Sequence, residues 1–289
     1  MSSKPTYNLN PSNPSWTPPA LACNTHCHIM GPVDRFPYPA NRTYTPQTEA
    51  PKEALFALHD QMGFDRCVMV QAGCHGFDNS AVADAIQTKN GSYLGVALLP
   101  VETDVTELKR HYDQGFRGVR FNFMQHLGKG AAIEEVVAMT PRLAEAGLHL
   151  QVHMENELIE TLAPELKRSA VPVVIDHMGR VDASKGLEQP AFTALRNLLE
   201  DKNFWVKVSG SERCSRQGPP YSDAIPFART LVAEFGDRVV WGIDWPHPNF
   251  DGPIPDDGAL VDLICEMAPI ETQRHALLVD NPARLYGFK

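Results

Sequence analysis

The stretch Cys23-Asn24-Thr25-His26-Cys27-His28 places two imidazoles one residue apart at the end of an apolar run. On a helix the pair would diverge; on a strand, where side chains alternate with period two, both rings point the same way. His26 and His28 therefore converge on one spot. Such a pair suits a metal ion that takes neutral imidazole nitrogen, a cluster of acid and base groups, or a purely structural network. Further polar residues close later apolar runs: Gly73, Cys74 and His75; Arg120 and Asn122; His153 and Glu155; Asp176, His177 and Arg180; Ser209 and then Arg213; Asp244 and His247.

Each of these has a structural alternative, and the alternatives weigh differently. His75 and His247 read better as supports for loops. His153 interrupts an apolar run, and beside His26 and His28 it reads as a third imidazole ligand. A carboxylate closing Val239-Val240-Trp241-Gly242-Ile243 would be buried and would need a cation or donors, so Asp244 reads as functional. Arg120 lies inside Val119-Arg120-Phe121, where a solvated charge is out of place.

Something must carry these run ends to one place. Eight short apolar runs, at 21–30, 67–71, 93–99, 118–124, 148–154, 171–178, 204–209 and 239–244, alternate with helical patterns such as Leu55, Leu58 and Met62, then Val105, Leu108 and Tyr112, then Phe227 and Leu231. Runs apolar throughout fit parallel strands buried on both faces, and eight strand–helix units fit a closed (β/α)8 barrel, whose chemistry collects at the C-terminal ends of its strands. An open doubly wound sheet is the alternative, but no glycine-rich phosphate loop follows the first run. Residues 1–20, with Pro5, Pro11, Pro14, Pro18 and Pro19, read as an extended arm, and 21–289 as a single barrel. The stretch 31–51 is too long for a plain connection, and such loops commonly serve a site.

A formal charge of -9 in 289 residues, without a block of Lys or Arg, argues against nucleic acid or an anionic membrane surface as a partner and leaves a small molecule. No apolar run approaches the ~20 residues that span a bilayer. Six cysteines without a C-x-x-C pair, and no leader pattern, point to reduced thiols and a cytoplasmic protein. Association with further copies of the chain stays open.

Five separated stretches in order carry a resemblance: 23–44, Val70-Gln71-Ala72-Gly73-Cys74-His75-Gly76, Arg117-Gly118-Val119-Arg120-Phe121-Asn122-Phe123, Ile175-Asp176-His177-Met178-Gly179-Arg180, and Trp241-Gly242-Ile243-Asp244-Trp245-Pro246-His247-Pro248. Together they resemble the amidohydrolase superfamily, and within it the lactone hydrolases of bacterial aromatic breakdown. The resemblance implies a (β/α)8 barrel and a site of His26, His28, His177 and Asp244, with Arg120, Arg213 and Tyr44 holding substrate anions. Three positions depart from the pattern of that branch: His126 stands where it has an arginine, His153 where it has a tyrosine, and Gly73 where it has a serine.

The branch it resembles works without a bound metal, but the strand-five histidine is a zinc ligand in related enzymes of the superfamily, so the expectation is one divalent metal, most simply zinc, on His26, His28, His153 and Asp244. The alternative to a metal is metal-free hydrolysis of an activated lactone with Asp244 as the base. Asp244 would take the proton of the attacking water, and His177 would donate to the oxygen of the tetrahedral intermediate. The substrate would be a small anionic lactone, carrying carboxylates or a sulfonate, with His126 altering the grip. Protein carboxylates look scarce at the mouth, leaving at least one guanidinium for substrate. A metal-dependent decarboxylase of a small unsaturated acid is the alternative.

Overall fold

A computed structural model describes residues 6–124 and 130–288. Eight parallel strands run in sequence order: β1 (Cys23–Cys27), β2 (Arg66–Val70), β3 (Tyr93–Ala97), β4 (Phe116–Phe123), β5 (His149–Met154), β6 (Val173–Ile175), β7 (Phe204–Lys207) and β8 (Val239–Val240). The circle is drawn together where Thr25 N–H donates to Trp241 O (2.9 Å), Asp244 N–H to His26 O (2.8 Å) and His28 N–H to Trp245 O (2.8 Å). The connections between strands include α1 (Lys52–Met62), α2 (Ser80–Thr88), α3 (Val105–Asp113), α4 (Ile133–Ala146), α5 (Ile159–Leu166), α6 (Pro190–Leu199), the short α7 (Ser211–Cys214) and α8 (Ile225–Phe235). After β8 come α9 (Asp257–Met267), α10 (Glu271–His275) and α11 (Asn281–Tyr286). This is the eight-stranded α/β barrel expected from the run pattern.

Helix α1 shows why the segments form where they do. Leu55, Leu58, His59 and Met62 make one buried face at helical spacing, and Gly63, at φ +80°, ends the helix by donating its N–H to His59 O. Asp104 caps α3 by accepting from Glu107 N–H at 2.9 Å.

Most strands are shorter than their apolar runs, and for β6 and β8 the reason is visible. In β6 the ladder stops at Ile175 because the backbone turns left-handed at His177; after Val240 the chain leaves the ladder of β7 and bonds to β1 instead.

The barrel interior is layered by the period of two. Cys23, Val68, Val70, Leu94 and Val96 pack on Tyr286, and Val174, Trp205 and Val240 on Leu285, so α11 closes the lower, apolar end. One step further along the same strands stand Asp176 and Lys207, both fully buried, and across β4 and β5 the pairs Arg120↔Gln151 and Asn122↔His153. Polar groups thus rise toward the C-terminal ends.

Residues 6–20 carry neither helix nor strand. They lie along α9, with Ser12 N–H and Oγ–H on the Asp256 carboxylate and Trp16 Nε1–H on Val261 O (3.2 Å). The loop after β1 is pinned at its base by an antiparallel bridge, Met30 N–H to Ala50 O (2.9 Å) and Ala50 N–H to Met30 O (2.7 Å). Among the described residues no helix is long and apolar enough to cross a membrane.

Gly242 lies where the closing segment presses on β1: a Cβ there would meet His26 N at 2.6 Å and His26 Cβ at 2.5 Å. Overpacking of this kind costs about 1–3 kcal/mol, or roughly 2–10 °C in a chain of this size. Gly242→Ala should therefore lower the melting temperature by that amount in a thermal scan and displace His26; an unshifted melt would mean that the two segments separate freely.

Candidate active site

The register of β1 against β2 slips between Asn24 and Cys27. That bulge re-aims the strand. Asn24 and Cys27 face α1, where Asn24 Nδ2–H reaches Cys27 Sγ (2.9 Å) and His59 Nε2 (3.0 Å), while His26 and His28 face the barrel mouth. Alternation alone puts the two imidazoles on one face, as expected, and the slip decides that this face is the mouth.

Three ring nitrogens point at one oxygen. Asp244 Oδ1 lies 3.2 Å from His28 Nε2, 3.6 Å from His26 Nε2 and 3.9 Å from His177 Nε2. The other carboxylate oxygen accepts from Arg213 Nε–H, and Arg213 Nη2–H donates to Pro248 O at 3.0 Å. Burial alone would push the Asp244 carboxyl up; Arg213, His177 and His28 outweigh it and hold the group well below the usual carboxylate range, so it is an anion throughout the neutral range.

The rings are neutral. Burial pushes the His177 and His153 imidazoles far down and His26 to about 3, with Lys207 adding to the effect on His26. Burial also lowers His28, partly offset by its bond to Asp244. His28 Nδ1 lies 2.8 Å from Val70 O, and a carbonyl only accepts, so Nδ1 carries the proton. Nε2 of the neutral ring then turns a lone pair toward a carboxylate oxygen, an arrangement that only a proton or a cation between them relieves. His26 Nε2, in turn, is buried without a hydrogen-bond partner.

That orphaned atom and the facing lone pairs fit a divalent metal. Ligand atoms of His26, His28 and Asp244 lie within 4.8 Å of one another, a set of three protein ligands of the kind that leaves a coordination position open. His153, expected as a further ligand, is not part of that set. Its Nδ1 is 3.3 Å from Asn122 Oδ1, its ring centroid is 5.4 Å from that of His177, its Nε2 is buried with no hydrogen-bond partner, and the residue borders the cavity.

Beneath the rings lies a pair of charges to which the sequence reading gave no role. Lys207 Nζ, fully buried, donates to Thr25 O (2.9 Å) and Gln151 Oε1 (3.0 Å), lies 3.3 Å from His26 Nδ1 and is 3.5 Å from Asp176 Oδ1. Burial brings the lysine down to about 8 despite Asp176; burial would push Asp176 up, but Lys207 and His26 hold it well below the ordinary range. Gln151 Nε2–H also donates to Asp176 Oδ2 at 3.0 Å. The signal was available, since Lys207 interrupts Phe204-Trp205-Val206 just as Arg120 interrupts its own run.

The expectation that carboxylates are scarce at the mouth is corrected by these contacts. Asp244 binds Arg213, and Asp176 lies 3.8 Å from Arg120 Nη1. Arg120 Nη2–H donates to Gln71 O at 3.0 Å, leaving Nε without a partner.

After β6 the chain takes a left-handed turn, with φ of +49° at His177, +52° at Met178, +62° at Gly179 and +57° at Arg180. Non-glycine residues there are strained by about 1–3 kcal/mol each, and such strain gathers at functional sites. His177 Nδ1 is fixed by Ser209 Oγ at 2.9 Å.

Above the polar floor opens a cavity of about 760 Å³. Tyr44, from the loop after β1, and the bare face of Gly73 form part of its wall together with His153, Arg120 and Arg213. His126 lies outside the described residues. The two loop-support histidines do support loops: Gly31 N–H donates to His75 Nε2 (3.0 Å), and His247 is clamped between Asp257 Oδ1 (3.1 Å) and Glu212 Oε1 (3.7 Å).

The model of the amidohydrolase family matches residues 23–288. The chain is 43% identical to a 2-pyrone-4,6-dicarboxylate hydrolase of Comamonas testosteroni, over 96% of this chain and 93% of that one. It is 38% identical to a 4-sulfomuconolactone hydrolase of Hydrogenophaga intermedia, over 98% and 93%. An Acinetobacter baumannii structure, provisionally assigned as a 2-pyrone-4,6-dicarboxylic acid hydrolase and holding citric acid, superposes with a TM-score of 0.81 at 27% identity, covering 93% of this chain and 100% of that one.

His247 gives the site a measurable pH signature. Burial would lower its pKa, but Asp257 and Glu212 raise it to about 9, and burial pushes Asp257 up as well, so both shifts keep a proton on the pair. The unfolded value is ~6.5. A raised folded pKa stabilises fully below pH 6.5 and loses that stabilisation as the pH climbs through 9. His247→Gln should therefore melt below the parent at pH 6, with the gap closing toward pH 10; a gap independent of pH would show that the ring is neutral in the fold.

Proposed function

The chain belongs to the amidohydrolase family, and we propose that it hydrolyses a small anionic lactone of the 2-pyrone-4,6-dicarboxylate or sulfomuconolactone kind, in bacterial breakdown of aromatic compounds. One observation carries the reading: a buried, ionised Asp244, braced by Arg213, with three imidazole nitrogens facing its other oxygen at the floor of a cavity that also receives Arg120 and Arg180. The named relatives are lactone hydrolases, which disfavours the decarboxylase alternative.

The mechanism follows from the positions of the groups. Asp244 Oδ1 is the base. Held far below its usual pKa, it takes the water proton only as the water oxygen bonds to the lactone carbonyl carbon, and it returns that proton to the ring oxygen when the carbon–oxygen bond of the tetrahedral intermediate breaks. The product is the ring-opened acid. His177, its Nδ1 paired with Ser209 Oγ, acts in the tautomer that carries the proton on Nε2, donating it to the carbonyl oxygen as charge builds there. His153 and Tyr44 border the cavity and would meet the rest of the ring, and His126 remains a candidate contact. Arg213 orients Asp244 and neutralises it.

His26, His28 and Asp244 would hold one divalent ion, zinc being the simplest choice for imidazole and carboxylate donors; such an ion lowers the pKa of a bound water toward ~7.

Two experiments test this reading. Incubation with 2-pyrone-4,6-dicarboxylate and with 4-sulfomuconolactone should release one proton per ring opened, and Asp244→Asn, which keeps size but removes the acceptor, should lower kcat by on the order of 100-fold or more. Activity within a few-fold of the parent would make Asp244 structural.

Protein purified without chelator should carry about one zinc per chain by elemental analysis. His28→Ala should lose it, whereas His153→Tyr should retain it if the three-ligand set suffices. Metal lost from both variants alike would bring His153 into the ligand set.

A further inference from the structure

Three guanidiniums border the cavity, and they are not equivalent. Arg213 is committed through Nε to Asp244 and through Nη2 to Pro248 O. Arg120 is committed through Nη2 to Gln71 O and lies 3.8 Å from Asp176, with Nε left over. Arg180 lines the same cavity, yet among the described residues no hydrogen bond and no carboxylate within 4.0 Å is made by its guanidinium.

Its backbone explains how it comes to be there. In the left-handed turn of His177–Arg180, the two middle residues go into the core: Met178 is fully buried, and a Cβ on Gly179 would meet Ile159 Cδ1 at 2.7 Å. The two end residues, His177 and Arg180, both border the cavity. One turn of strained chain thus presents a hydrogen-bond donor for the reacting carbonyl and, three residues on, a cation without a partner. A half-buried guanidinium with five N–H donors and no acceptor in the protein is matched by a planar carboxylate or by a sulfonate.

We propose that Arg180 is a specificity-determining residue that binds an anionic group of the lactone, while Arg213 serves Asp244 rather than the substrate. The assignment rests on the lactonase reading given above. It places one anion-binding donor on the same turn as His177, so an anion seated on Arg180 sets the distance from that anion to the carbonyl that reacts.

The test uses the full-length enzyme with Arg180→Gln and Arg180→Lys. Loss of a charge-assisted bidentate contact corresponds to about 30-fold or more. In Arg180→Gln the preference in kcat/KM for 2-pyrone-4,6-dicarboxylate or 4-sulfomuconolactone over an uncharged lactone should fall by that factor, through KM rather than kcat. Arg180→Lys, which keeps the charge but not the fork, should fall between. A second arm measures citrate binding by calorimetry: the parent should bind it and Arg180→Gln should bind it at least tenfold more weakly. An unchanged preference, equal citrate binding by parent and variant, or no citrate binding by the parent overturns the proposal. Parent enzyme that binds citrate through Arg180 but opens none of the lactones overturns the lactonase reading and leaves the anion assignment standing.

Discussion

The site depends on a salt link that no solvent reaches. Lys207 and Asp176 are both fully buried, and two charges taken out of water are tolerated only where good geometry and further hydrogen bonds compensate. Here Thr25 O, Gln151 and His26 complete the set. The link spans β6 and β7 and, through Thr25 and His26, reaches β1, so it joins three strands whose ends carry the chemistry. Apolar residues of the same size could close that layer more cheaply, but they would leave the Nδ1 side of His26 without a polar neighbour. The ion pair is therefore better understood as orienting the imidazole than as stabilising the barrel.

Above this floor the electrostatics separate by residue type. Burial keeps the four imidazoles neutral, while Arg213 keeps the Asp244 carboxyl ionised. The result is a site with one fixed negative charge on Asp244, the lone pair of His28 Nε2 turned toward it, and guanidiniums bordering the same cavity. Arg180, Arg120 and Asp244 all border the one cavity, so fixed charges of both signs line a single space.

The positions of the barrel strands were legible because parallel strands buried on both faces leave uninterrupted apolar runs, and the polar residues that end those runs mark the mouth. His26, His28, His177, Asp244 and Arg120 could be picked out on that ground. What the pattern hides is direction and pairing. The bulge in β1 has no composition of its own, yet it decides that Cys27 faces α1 and His28 faces the cavity. The left-handed turn at His177–Arg180 hides behind a single glycine, because three of its four residues are types that seldom adopt that conformation. Arg213 gave no sign that its partner would be Asp244, since the two residues meet only when the loops after β7 and β8 fold against each other. Lys207 was within reach: the charge inside an apolar run that drew attention to Arg120 recurs there.

The Met30–Ala50 bridge divides labour within one loop. Because the chain leaves and re-enters the barrel through paired backbone groups, the intervening residues, Tyr44 among them, are tied at their base between His28 on one side and α1 on the other. The bridge thus joins two kinds of surface in a single pocket: a floor of buried, mutually bonded charges, and a wall whose base hangs on two backbone hydrogen bonds.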